Sequence, residues 1–126
     1  MKILGIDYGK SKVGLSLADG PLAEPLKVIR YKDFGIIRQG IEKIVKEEGI
    51  DKIIVGVSEG KMGEESKKFG LILSKNLGIT VETFDETLTS QDAQRMSIEA
   101  GVNQKKRHKM EDAYAATIML QNYLDS

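Results

Sequence analysis

An apolar run that ends on a carboxylate constrains this chain more than any other feature. Ile3 to Ile6 reads as a short strand that delivers Asp7 into a turn of Tyr8, Gly9, Lys10, Ser11 and Lys12, after which a second apolar segment opens at Val13. Desolvating a carboxylate costs on the order of several kcal/mol unless a cation or hydrogen-bond donors meet it. Gly5 and Gly9 thin the backbone on either side of Asp7, leaving room for something to approach closely. The stretch admits two readings. Asp7 is a ligand-facing acid at the C-terminal end of a central strand, or it merely starts an ordinary hairpin turn, as Asp often does.

The side-chain period then sorts the rest of the chain. Val13, Leu15 and Leu17 alternate with Gly14, Ser16 and Ala18, which predicts a strand antiparallel to the first. Asp19-Gly20-Pro21 is a turn signal, and Leu26 to Tyr31 suits an exposed third strand. The period changes to a helical one at Phe34, Ile37, Ile41, Ile44 and Val45, with Asp33 as N-cap and Gly49 as stop. Ile53 to Val57 is the continuous apolar run of a strand covered on both faces. Ser58 to Gly63 reads as a loop, and a second helix follows with Phe69, Ile72, Leu73 and Leu77 inward and Gly78 closing it. Ile79 to Phe84 is a fifth strand that runs into Asp85 and Glu86. A third helix is expected from Thr89, with Asp92 as a capping-box partner, to Gly101. A last helix is expected from about Met110 to Leu124, with Ala113, Ala116, Leu120 and Leu124 on one face.

The order βββαβαβαα, with no linker or repeat, predicts one α/β domain over residues 1–126. Its sheet would be mixed and five-stranded, three antiparallel strands followed by parallel ones, with helices on both faces. If strands one, four and five are parallel, Asp7, the Ser58-Glu59 pair and Asp85-Glu86 share one sheet edge, where sites form in open α/β sheets. Asp112, early in the last helix, can lean onto the same edge.

Composition narrows the chemistry at that edge. The chain has no cysteine and a single histidine, His108, so thiol nucleophiles and zinc thiolates are excluded. Carboxylates alone favour a hard ion such as Mg2+ or Mn2+. Two such ions about 4 Å apart can activate water and stabilise the leaving oxygen of a phosphoryl displacement. The 19 basic and 19 acidic residues cancel, so attraction to a polyanion must come from local clustering. Lys105, Lys106, Arg107, His108 and Lys109, just before Asp112, form such a cluster, though a run this short is often only a solvated loop. No apolar run reaches membrane-spanning length, and the start is too short for a signal-peptide core. A soluble cytoplasmic protein without a membrane partner is therefore expected.

Four blocks, GIDYGKSKVGLSLAD, IIVGVSEGKMGEES, DETLTSQDA and KKRHKMEDAYAATIMLQNYLD, resemble in order and spacing the YqgF family of ribonuclease-H-like proteins. That family is described as Holliday-junction resolvases and also as the nuclease that trims the precursor of small-subunit (16S) ribosomal RNA. The resemblance spans essentially the whole chain and implies the ribonuclease-H-like fold and two-metal cleavage of nucleic acid, either precursor rRNA or branched DNA. It carries the family's acids onto Asp7, the Asp85-Glu86 pair and Asp112. Of the pair, Glu86 is preferred as metal ligand for its longer reach, with Asp85 suited to bonding the amides of the following turn. The expected site is thus Asp7, Glu86 and Asp112, with Lys105, Lys106, Arg107 and Lys109 on phosphates.

The chain departs from the family's pattern in two places. Ser58 stands where the family usually has Pro, and Thr87 replaces an arginine able to touch phosphate. Related resolvases carry an acid at the end of the fourth strand, which makes Glu59 a further candidate ligand. Two other classes compete with the nuclease. One is a nucleic-acid-binding module that keeps the fold without catalysis. The other is an actin-like ATP-binding fold, whose phosphate hairpin DYGKSKVGLSLAD resembles; it needs a second such domain, and 126 residues hold none. A junction enzyme making two symmetric cuts would favour a homodimer.

Overall fold

Alternation in the first half of the chain becomes a three-stranded meander. In the computed structural model β1 (Lys2–Tyr8), β2 (Lys12–Asp19) and β3 (Ala23–Arg30) pair antiparallel. Residues 1–57, 61–85 and 104–126 are described, the side chains at 61, 62 and 104–109 excepted. Helix α1 (Phe34–Glu48) then leads to β4 (Lys52–Val57), α2 (Lys61–Leu77), β5 (Thr80–Asp85) and α3 (Gln104–Asp125). Both β4 and β5 run parallel, β4 to β1 and β5 to β4, giving the sheet order β3-β2-β1-β4-β5. The strand carrying Asp7 is therefore central, as its apolar run implies. The mixed five-stranded sheet with flanking helices is the expected ribonuclease-H-like architecture.

Helix ends fall where the capping residues place them. The Asp33 carboxylate accepts from the Ile36 N–H at 3.2 Å at the start of α1. Gly49 ends that helix in the left-handed region, φ 65°, which a glycine adopts without strain. Ile37, Ile41 and Ile44 face inward and, with Phe69 and Leu73 of α2, cover Leu4, Ile6, Val13, Leu15, Ile53 and Val55 on one side of the sheet.

The opposite side is built from small residues. Gly5, Gly14, Ser16 and Ala18 share it, and α3 lies against them. A Cβ on Gly14 would overlap the Asp112 carbonyl and stand 2.8 Å from the Ala113 nitrogen. One on Gly5 would meet the Ser16 hydroxyl and approach the Leu120 Cβ to 3.0 Å. The buried Ser16 hydroxyl donates to the Ala116 carbonyl at 2.9 Å, which satisfies it. Met119 and Leu120 complete this second layer with Ile3 and Ile54.

Three boundaries differ from expectation. The second helix begins at Lys61 rather than after Gly63, and Ile72 is 41% exposed rather than inward. Ser66 and Gly70 are the reason: these small, buried residues take the sheet-facing positions between Phe69 and Leu73 and rotate Ile72 outward. The last helix starts at Gln104, not Met110, because Gln104 to Lys109 contains good helix formers and no breaker. Third, β3 begins at Ala23 and contains Pro25, tolerated where a bulge shifts the register on an edge strand. The helix expected over Thr89–Gly101 lies outside the described residues, as do Ser58, Glu59 and Glu86.

Candidate active site

The register across the sheet gives Asp7 its surroundings. Its antiparallel partner is Gly14 in β2 and its parallel partner is Gly56 in β4. Paired residues of adjacent strands point to the same face, so the half-buried Asp7 carboxylate is flanked on both sides by residues without side chains. Asp7 alternates with Ile3 and Gly5, which places it on the α3 face.

Helix α3 brings the second acid to the same place. The Asp112 backbone rests on Gly14, the residue paired with Asp7. The Asp112 carboxylate, 27% exposed, pairs with the Lys12 ammonium at 3.0 Å. Thus Asp7 and Asp112 share one end of one face. Two carboxylates at one end of one face suit a hard, oxygen-preferring cation such as Mg2+ or Mn2+. Among the described residues no group of three or more acidic, His or Cys side chains is gathered.

Asp85 ends β5 on the same sheet edge but follows Val81 and Thr83 in the alternation. Val81 packs against the α1/α2 core, and both residues line a cavity with Lys67, Gly70, Leu71 and Ser74 of α2. Phe84, by contrast, packs with Tyr123 of α3. Asp85 therefore belongs to the face opposite Asp7. Lys105, Lys106, Arg107 and Lys109 all fall in the first two turns of α3, and the first turn carries no acid.

Three features of this end of the sheet were not anticipated from the residues. Gly14 and Gly56 flank Asp7; the Gly14 partnership could have been counted from the turn length, whereas Gly56 depends on a distant strand. Lys12 pairs with Asp112, one hundred residues along the chain. Tyr31 braces the β1–β2 turn: its phenol donates to the Gly9 carbonyl and its N–H to the Ser11 carbonyl at 3.0 Å.

The chain matches the family model "RuvX: Holliday junction resolvase" over residues 1–126. A relative from Leuconostoc mesenteroides is 40% identical, covering 100% of this chain and 96% of the relative. One from Bacillus subtilis is 36% identical, covering 100% and 99%. Both carry the name "Putative pre-16S rRNA nuclease". Among solved structures, T. thermophilus RuvC in complex with Holliday junction substrate superposes with a TM-score of 0.66 at 15% identity, over 99% of this chain and 95% of that one. The fowlpox virus resolvase in complex with Holliday junction DNA does so with 0.63 at 12%, over 99% and 97%. These two likenesses establish the fold.

Proposed function

The chain belongs to the YqgF/RuvX family, and on that premise we propose that it is a metal-dependent endonuclease acting on structured nucleic acid, with maturation of the 5′ end of precursor 16S rRNA as its reaction. The observation that carries this reading is the row Gly56–Asp7–Gly14 with Asp112 laid over it. Gly14 admits the α3 backbone, which holds Asp112 at the same end of the same face as Asp7, where two carboxylates would meet bound ions and a scissile phosphate.

Asp7, Glu86 and Asp112 are the residues that would hold two Mg2+ or Mn2+ ions. When bound, such ions supply a nucleophilic water and stabilise charge on the leaving oxygen. The chain's own part is to fix the carboxylates: Asp7 by a central strand, Asp112 by a helix seated on Gly14. Glu86 is preferred to Asp85 because Asp85 falls on the α2 face with Val81 and Thr83, and Glu86 comes next after Phe84 in the other series. Lys105, Lys106, Arg107 and Lys109 supply positive charge where the α3 N-terminus is itself electropositive, which supports a role on substrate phosphates. Among the described residues no helix is long and apolar enough to cross a membrane, in keeping with work on rRNA in the cytoplasm.

The family description favours a second reading, resolution of branched DNA. That reaction needs two symmetric cuts and hence a homodimer. Purified protein incubated with Mg2+ or Mn2+ against a transcript spanning the 16S 5′ leader, and in parallel against a four-way DNA junction, separates the two. Cleavage confined to the transcript supports rRNA maturation. Paired cuts in the junction by a dimer support resolution. Binding without cleavage of either, under both ions, would contradict the enzyme and leave a binding module.

A further inference from the structure

The β1–β2 turn is held more firmly than a surface turn requires. Tyr31 donates to it twice, from its phenol to Gly9 and from its N–H to Ser11. Burial first, and then the neighbouring Tyr8 hydroxyl, push the Tyr31 phenol far above its ordinary range, so it keeps the proton it donates. The turn is also tight, since a Cβ on Gly9 would stand 2.7 Å from the Lys12 carbonyl oxygen. What the brace holds in place is Lys10, Ser11 and Lys12, and on either side of Tyr31 itself stand Arg30 and Lys32.

Register adds a second observation. Lys12 and Arg30 are direct partners across β2 and β3. Lys12 lies two residues from Gly14 and so shares its face, which is the face of Asp7. Like charges opposed in this way destabilise a sheet, so packing gives no reason for the pair. Among the described residues no carboxylate lies within ion-pair range of Lys10, Arg30 or Lys32. Lys12 has one partner, and that partner is Asp112.

We propose that the braced turn, with Lys10, Lys12 and Arg30, is a phosphate subsite that grips the nucleic-acid backbone beside the cleavage position, Lys12 exchanging Asp112 for a phosphate once Asp112 holds an ion. The inference rests on the nuclease reading. Its ligand is the phosphodiester backbone of a polynucleotide strand, RNA or DNA, read without regard to base.

The test is equilibrium binding in EDTA, which prevents cleavage, of a fluorescein-labelled RNA hairpin with a single-stranded 5′ tail and of its DNA counterpart, over a series of KCl concentrations. Removing two phosphate contacts in Lys10→Gln/Arg30→Gln should flatten the slope of log affinity against log salt by about 1.5 units. Lys10→Arg/Arg30→Lys should keep the wild-type slope. So should Lys46→Gln/Lys75→Gln, which removes two charges from the last turns of α1 and α2 at the far end of the sheet. A wild-type slope in the first variant, or an equal flattening in the last, overturns the subsite while leaving the nuclease reading in place. Failure of the wild-type protein to bind either probe at the lowest salt overturns the subsite, while the nuclease reading is decided by cleavage with Mg2+ or Mn2+.

Discussion

At the scale of single residues, the choice between two adjacent acids matters most. Asp85 and Glu86 are adjacent, and the residue types alone do not say which faces Asp7, because neither Val81 and Thr83 nor Glu82 and Phe84 is a purely apolar series. Packing settles the side of Asp85 alone: Val81 joins the α2 side and Phe84 the α3 side, so Asp85 faces away from Asp7. Glu86→Gln is therefore expected to abolish metal-dependent cleavage with less than about 0.5 kcal/mol change in stability, the range of an ordinary surface substitution. Asp85→Asn should keep turnover within a few-fold of wild type and show its effect mainly in urea unfolding. Activity assays and unfolding curves on both variants check this; a dead Asp85→Asn beside an active Glu86→Gln reverses the assignment, and if both remain active Glu59 is the acid to test next.

At the scale of elements, the small-residue face of β2 is what lets α3 carry Asp112 to the sheet. Alternation predicted that face, since Gly14, Ser16 and Ala18 recur every second residue, but not what would lie on it. Contacts one hundred residues apart, such as Ser16 to Ala116, leave no trace in a local pattern. Gly14→Ala puts a methyl into the Asp112 carbonyl, backbone that cannot rotate away. We expect it to cost at least about 2 kcal/mol by urea unfolding, in the upper range for overpacking, and to reduce cleavage through displacement of Asp112. A change below about 0.5 kcal/mol would mean that α3 is not seated as described. The basic start of α3 escaped boundary prediction because a polar run of Lys, Gln and Arg lacks the apolar stripe that marks a helix. Replacing Lys105, Lys106 and Arg107 by Ala should weaken substrate affinity and flatten its salt dependence by about 0.7 to 0.9 per lost contact, while single-turnover cleavage at saturation holds. An unchanged salt slope would return these residues to the solvent.

At the scale of the whole molecule, the succession of strands and helices and the change from antiparallel to parallel strands were legible because buried runs, turns and caps are encoded locally. The register of β4 against β1, which sets Gly56 beside Asp7, and the seating of α3 are products of tertiary packing and were not. The same packing ends in a clasp at the far end of the sheet. Lys52 meets Glu82 at 2.9 Å and Tyr123 at 2.6 Å, tying β4, β5 and α3 together. Hydrogen bonds from Lys52 first and Tyr123 second hold the Glu82 carboxyl below its ordinary range. A lowered folded pKa means that its stabilisation is present above the unfolded value and fades as pH falls through the folded one. The stability difference between wild type and Glu82→Gln should accordingly be present at pH 7 and shrink below about pH 4, the ordinary carboxylate range; a pH-independent difference would show that the ion pair is not its source. The clasp fixes the distal half of α3, and its seat on Gly14 fixes the half that presents Asp112. The most direct measurement of the whole account is cleavage of the 16S leader transcript by purified wild-type protein and Asp7→Asn, each with Mg2+, with Mn2+ and with EDTA. Wild type should cut with either ion and not with EDTA, and Asp7→Asn should bind the transcript, keep its melting temperature or gain slightly from the loss of a crowded carboxylate, and cut under no condition. Full activity in Asp7→Asn, with contaminating nucleases excluded, would contradict it.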